Sequence, residues 1–146
     1  MQEDKELLLK DLCARLPYGV KMNHIADDEH SPKTLIGIAK DMITLEGLGG
    51  YECVDVEDYK PYLFPLSSMT EEMIEKLNAY GFFKYRDTIT NVSHLISNNG
   101  INEEIYTYID IECVLFLIEF FNSHHIDYRG LIEKNLAIDA TGLNIY

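Results

Sequence analysis

The chain has no tryptophan, only three cysteines and four prolines, and 12 basic residues against 25 acidic ones. Each shortage closes off a class of function. The shortage of lysine and arginine leaves a formal charge of -13 over 146 residues. Such a field repels phosphate backbones and anionic lipid surfaces, so a broad basic groove for nucleic acid is excluded and a membrane surface is disfavoured. The acidic residues are dispersed, the longest run being Asp27, Asp28 and Glu29. Their first role is solubility, and their second is attraction to a basic partner. Cys13, Cys53 and Cys113 are odd in number, far apart and free of any Cys-x-x-Cys spacing. That excludes a disulfide framework and a zinc knuckle, and it suggests small buried hydrophobes in a reducing compartment. Long apolar runs are also missing. Val114 to Ile118 is bounded by Glu112 and Glu119, too short for a bilayer. The start, Met1-Gln2-Glu3-Asp4, lacks the basic and apolar segments of a signal peptide. A cytoplasmic location is the expectation.

What is present is an ordinary globular composition, with ten tyrosines and six phenylalanines as packing units. The length suits one domain over residues 1–146. The spacing of Leu8, Leu9, Leu12, Cys13 and Leu16 predicts a helix over Glu3 to Arg15, ended by Pro17. Four strand-like runs follow: Val20 to Ile25, Thr34 to Ala39, Met42 to Glu46 and Tyr51 to Val56. Loops or turns at Ala26 to Pro32, Lys40-Asp41 and Gly47 to Gly50 separate them. Tyr62-Leu63-Phe64, between Pro61 and Pro65, reads as extended chain outside any central strand. Ser68-x-x-Glu71 has the form of a capping box opening a helix that ends at Gly81. A further helix is expected over Asp87 to Ser97, and an apolar central core helix over Asp110 to Asn122 with Asp110 as N-cap. Asp127 reads as the cap of a short helix over Tyr128 to Lys134. The fold class is α+β: an N-terminal helix, a small antiparallel sheet of about four strands as a meander or partial barrel, and a helical C-terminal half packed on it.

Signatures of chemistry are scarce. Asp27, Asp28, Glu29 and His30 lack the alternating spacing and glycine of a calcium loop and read as a solvated loop. No Gly-x-Ser-x-Gly elbow exists, and Gly47 to Gly50 has neither the lysine nor the following helix of a phosphate loop. No metal and no cofactor is expected. Two constellations stay open as ligand- or partner-binding sites. The first is the helix-end corner of His124, His125, Tyr128 and Arg129, with Asp127 beside it. Adjacent histidines do not share a helix face, so it is weaker than His-x-x-x-His, and a histidine there also suits the last helical carbonyls. The second is Tyr80 to Arg86, where Phe83, Tyr85 and Arg86 would stack bases, pack a helix junction or anchor a protein partner.

Three stretches, KELLLKDLCARLPYGVK (Lys5 to Lys21), YKPYLFPLSSMTEEM (Tyr59 to Met73) and NSHHIDYRGLIEKNLAI (Asn122 to Ile138), carry a resemblance. Together they resemble an uncharacterised family of short proteins from gut Bacteroides-type bacteria, their prophages and mobile elements. The resemblance implies an intracellular accessory protein and supplies no reaction or catalytic residue. The leading expectation is a non-catalytic protein-interaction or regulatory protein with an unidentified protein partner. The alternatives are nucleic-acid binding through the basic aromatic patch and an enzyme built around His124, His125 and Asp127. The oligomeric state is left open.

Overall fold

The computed structural model describes residues 2–79 and 111–146. In chain order the elements are α1 (Gln2–Arg15), β1 (Lys21–His24), β2 (Lys33–Ala39), β3 (Met42–Gly47), β4 (Gly50–Asp55), β5 (Tyr59–Pro65), α2 (Glu71–Ala79), α3 (Ile111–Ser123), β6 (Ile126–Asp127) and β7 (Ile138–Asp139). The chain divides into two compact units: Met1–Phe64 with Arg129–Tyr146, and Pro65–Tyr128. The expected cap at Gly81, the helix over Asp87 to Ser97, the N-cap Asp110 and the Tyr80 to Arg86 segment lie outside the described residues.

In the first unit, α1 buries Leu8, Asp11, Leu12 and Arg15. These positions follow the i, i+3, i+4, i+7 stripe of a helix face, so an acid and a base occupy core positions. They satisfy each other: Arg15 Nε lies 2.7 Å from Asp11 Oδ2, and Arg15 Nη2 lies 3.1 Å from Oδ1. The helix stops at Arg15. A 3-10 turn over Leu16–Tyr18 carries Pro17, and Gly19 takes the left-handed conformation at φ 65°. Cys13, expected on the apolar face, is exposed, because it lies beside the stripe that Leu12 occupies. Cys53 is exposed as well, so burial of the cysteines is corrected at both positions.

The sheet is larger than four strands and mixed in direction. Its order in this unit runs β4-β3-β2-β1-β5, all antiparallel, with β7 parallel to β5. Alternation gives it an inner face. Leu35, Ile43 and Leu45 join Val20, Met22, Tyr59 and Leu63 in one core cluster with Leu8 and Leu12 of α1. Ile36 is exposed where the β2–β3 register shifts between Leu35 and Gly37.

The addition of β5 corrects the reading of the proline-flanked segment. Ile25 N–H donates to Asp58 C=O, and the pairs that follow are His24↔Tyr59, Asn23↔Lys60 and Met22↔Pro61. Hydrogen-bonded pairs alternate along an antiparallel ladder, so Met22↔Pro61 is a non-bonded pair. The ring nitrogen of Pro61 therefore points away from β1, and no bond to β1 is lost.

One step further, the ladder would join Lys21 N–H to Tyr62 C=O. Instead the phenol of Tyr146 stands between them: Lys21 N–H donates to it at 3.1 Å, and it donates to Tyr62 C=O at 2.7 Å. The residue as a whole is 45% exposed, but its phenol end is buried, which pushes the hydroxyl well above the ordinary tyrosine range. Tyr146→Phe removes both bonds. The expected loss is about 1–2 kcal/mol of unfolding free energy, read by urea denaturation. No measurable change would mean that the strands close directly on each other.

In the second unit, Thr70, rather than Ser68, caps α2. Met73 N–H donates to Thr70 Oγ1 at 3.3 Å, whereas the Ser68 hydroxyl donates to Pro65 C=O at 2.6 Å. Helix α3 is not apolar-buried all round, since Leu117, Phe120 and Phe121 are buried but Leu115 is exposed. The short helix expected over Tyr128 to Lys134 is replaced by turns, with Gly130 at φ 71° and Asn135 at φ 58°. Left-handed residues do not propagate an α-helix. Asp127 lies in β6 instead of capping that helix. Among the described residues no helix is long and apolar enough to cross a membrane.

Candidate functional site

Each described residue of the helix-end corner has a structural contact of its own. His124 follows the last residue of α3. Its N–H donates to Phe120 C=O at 3.1 Å, its Nδ1 lies 2.8 Å from the same carbonyl, and its ring stacks on Phe120 at 4.2 Å. A ring nitrogen at a helix C-terminus satisfies a carbonyl that the helix leaves open. His125 is buried, in the left-handed region at φ 56°, and donates its N–H to Asn122 C=O. Tyr128 is buried and stacked on Phe121 at 5.6 Å. Arg129 belongs to the first unit, where its Nε lies 3.3 Å from Asp11 Oδ1. Phe83, Tyr85 and Arg86 lie outside the described residues.

The loop at Asp27 is ordered from within. Its carboxylate accepts the N–H groups of Glu29 and Ser31, and these bonds hold its pKa below the usual carboxylate value. Among the described residues no group of three or more histidine, cysteine or acidic side chains is placed to hold a metal ion.

Two other places in the first unit bring several polar side chains together. On the inner-face side of β4, Glu52 accepts from the Lys33 ammonium and, at 2.9 Å, from the Tyr59 hydroxyl. The lysine contact lowers the Glu52 pKa and raises that of Lys33, while burial raises that of Tyr59. Each group is thereby held further in its resting protonation state. Such a set fixes charge and does not exchange protons near neutrality.

At the end of β4, Lys5 of α1 is only 14% exposed and reaches three carboxylates. Its Nζ lies 2.8 Å from Glu57 Oε2, 3.3 Å from Asp41 Oδ2 and 3.8 Å from Asp55 Oδ1. The bond to Glu57 is the main cause of a raised Lys5 pKa, and Lys5 in turn holds Asp41 low. One ammonium cannot neutralise three carboxylates. Lys40 in the neighbouring turn offsets part of the remainder, and this end of the strand stays negative. A shallow depression of about 140 Å³ lies beside it, lined by Asp4, Lys5, Leu8, Glu57, Tyr59, Lys60 and Leu136. It is small for an organic substrate or cofactor.

Comparison with known proteins adds nothing to this picture. No protein-family model, curated protein or solved structure matches the chain.

Among the described residues, the outer face and edge of the same sheet are exposed at the β3–β4 hairpin. Tyr51, Cys53 and Asp55 share the outer face of β4, as the sequence alternation predicts. Beside them stand Glu46, Thr44 and Met42 of β3. Leu48 at the turn is fully exposed, Tyr51 is 72% exposed, and Ile36 and Met42 are also exposed. Sequence reasoning placed this hairpin without marking it as a site. The available signal was a leucine between glycines at a turn tip, followed by a tyrosine on the solvent side of an alternating strand.

Proposed function

We propose that the chain is a non-catalytic protein-interaction module, an accessory protein of bacterial, prophage or mobile-element origin that binds an unidentified protein partner. The observation that carries this reading is the β3–β4 hairpin, which exposes Leu48 at its turn and Tyr51 and Met42 at the two ends of its outer face. Exposed apolar side chains rimmed by polar ones are typical of association surfaces. The charge-bearing groups support it too: Lys33, Glu52, Lys5, Asp11 and Arg129 are held in ion pairs.

A paired capture tests the reading. The tagged chain and its Leu48→Ser/Tyr51→Ser form are each used to retain proteins from host extract. Both positions are exposed, so the variant is expected to unfold within about 0.5 kcal/mol of the parent. A defined partner is expected on the parent and at least about tenfold less on the variant, the range of an interface anchor. Equal retention by both, or catalytic turnover by the pure chain, would remove the interaction reading.

A further inference from the structure

The hairpin fixes which backbone groups β4 offers to solvent. Leu48 and Gly49 form the connection, and the ladder runs Gly47↔Gly50, Glu46↔Tyr51, Leu45↔Glu52, Thr44↔Cys53, Ile43↔Val54 and Met42↔Asp55. Val56 N–H donates to Asp41 C=O at 2.9 Å, which sets the parity of the bonded pairs. Counting back, Glu52 and Val54 bond to β3. The N–H and C=O groups of Tyr51, Cys53 and Asp55 therefore point away from it, along the free edge. Among the described residues, β4 pairs only with β3. An edge with unpaired backbone groups is a template for another strand, and proteins usually blunt it with lysine, proline or a cover. Here the outward row is Tyr51, Cys53 and Asp55, with neither lysine nor proline.

Charge then selects the occupant. One end of the edge is the negative pole formed by Asp41, Asp55 and Glu57 around Lys5. The other end is apolar, with exposed Tyr51 and Leu48. A second copy of this chain would bring another charge of -13 to the edge, which opposes self-pairing.

We propose that the free edge of β4 binds an extended segment of a partner protein by antiparallel strand addition, taking a basic side chain opposite Asp55 and an apolar one opposite Tyr51. The segment thus reads basic-x-x-x-apolar from its N-terminus, with both side chains on the outer face of the extended sheet. Backbone bonds to Tyr51, Cys53 and Asp55 hold it, and the two end positions give direction. This docking mode rests on the interaction-module reading and names the partner of the same hairpin.

The test is a fluorescence anisotropy titration of the full chain with two labelled, end-blocked peptides, TKTVTLT and its acidic counterpart TETVTLT. Saturable binding of the lysine peptide is expected at low salt, weakening as salt rises. The acidic peptide is expected to bind at least about tenfold more weakly, because it meets the pole with like charge. Cys53→Pro removes an outward N–H without removing a bond to β3, and it is expected to weaken the lysine peptide at least about tenfold. Asp41→Asn/Asp55→Asn, whose fold does not depend on a proline, is expected to weaken it about three- to tenfold.

Several results would overturn the proposal: equal affinity for both peptides, indifference to both variants, or a parent dimer in sedimentation that Cys53→Pro dissolves. If no peptide binds while the captured partner still depends on Leu48 and Tyr51, the strand-addition mode is wrong and the interaction reading stands. If the hairpin variant also leaves capture unchanged, both are wrong.

Discussion

Replacing Asp11 by alanine is expected to lower the unfolding free energy by about 3–5 kcal/mol, the range for breaking a buried ion pair from one side. Asp11 and Arg15 are both fully buried on the inner stripe of α1, joined by two hydrogen bonds, and Arg129 approaches the same carboxylate. Removing the carboxylate takes two hydrogen bonds and a counter-charge from a guanidinium that is fully buried. The cost comes from the weaker compensation of that buried cation more than from the lost attraction. Asp11→Leu/Arg15→Met is therefore expected to recover most of the loss, since well-packed apolar side chains replace a buried pair with little or no penalty. Arg129, about a quarter exposed, keeps access to water in that double variant. Urea denaturation of the two variants beside the parent checks both statements. A loss under about 1 kcal/mol for Asp11→Ala would show that Arg15 finds solvent or another acceptor.

The second large effect is a contrast between neighbouring positions of β4. Glu52→Pro is expected to cost about 2–4 kcal/mol beyond Glu52→Ala, because it deletes the N–H paired with Leu45 and forces the ring against β3. Cys53→Pro, one residue on, is expected to cost less than about 1 kcal/mol, since its N–H faces outward. The alanine reference subtracts the Lys33 ion pair, so the difference reports backbone direction alone. Equal costs at the two positions would contradict the ladder parity. A proline scan with thermal or urea unfolding is sufficient.

The local architecture of the first unit was legible because short-range rules govern it. The turns at Lys40-Asp41 and Gly47 to Gly50, and the alternation of Tyr51, Cys53 and Asp55 against Glu52 and Val54, mark strands whatever their partners are. β5 was not legible. Pro61 is tolerated only because its nitrogen falls on the side away from β1, and that depends on a register set by distant residues. The core pair Asp11 and Arg15 could have been read, since they share the spacing of Leu8 and Leu12, but such i, i+4 pairs mostly lie on solvated faces. Thr70 displaced Ser68 as the cap because Ser68 belongs to a 3-10 turn over Leu66–Ser68 and the helix begins only at Glu71, directly after Thr70. The pole around Lys5 unites residues from α1, the β2–β3 turn, β4 and the turn after it, a convergence that no local pattern encodes. The histidine pair drew attention for its chemistry, while its position at the end of α3 gave both residues local contacts to satisfy.

The phenol of Tyr146 between β1 and β5 also sets an order of events. Met22 and Pro61 meet across a short stretch of chain, whereas Lys21 and Tyr146 are 125 positions apart. Closing a long loop costs little more at equilibrium than closing a short one, but distant contacts form late. The seam between these strands therefore pairs early at His24 and closes late at Lys21. The backbone amide of Lys21 marks the completion of this seam in time, just as β4 is the last strand of the sheet in space among the described residues.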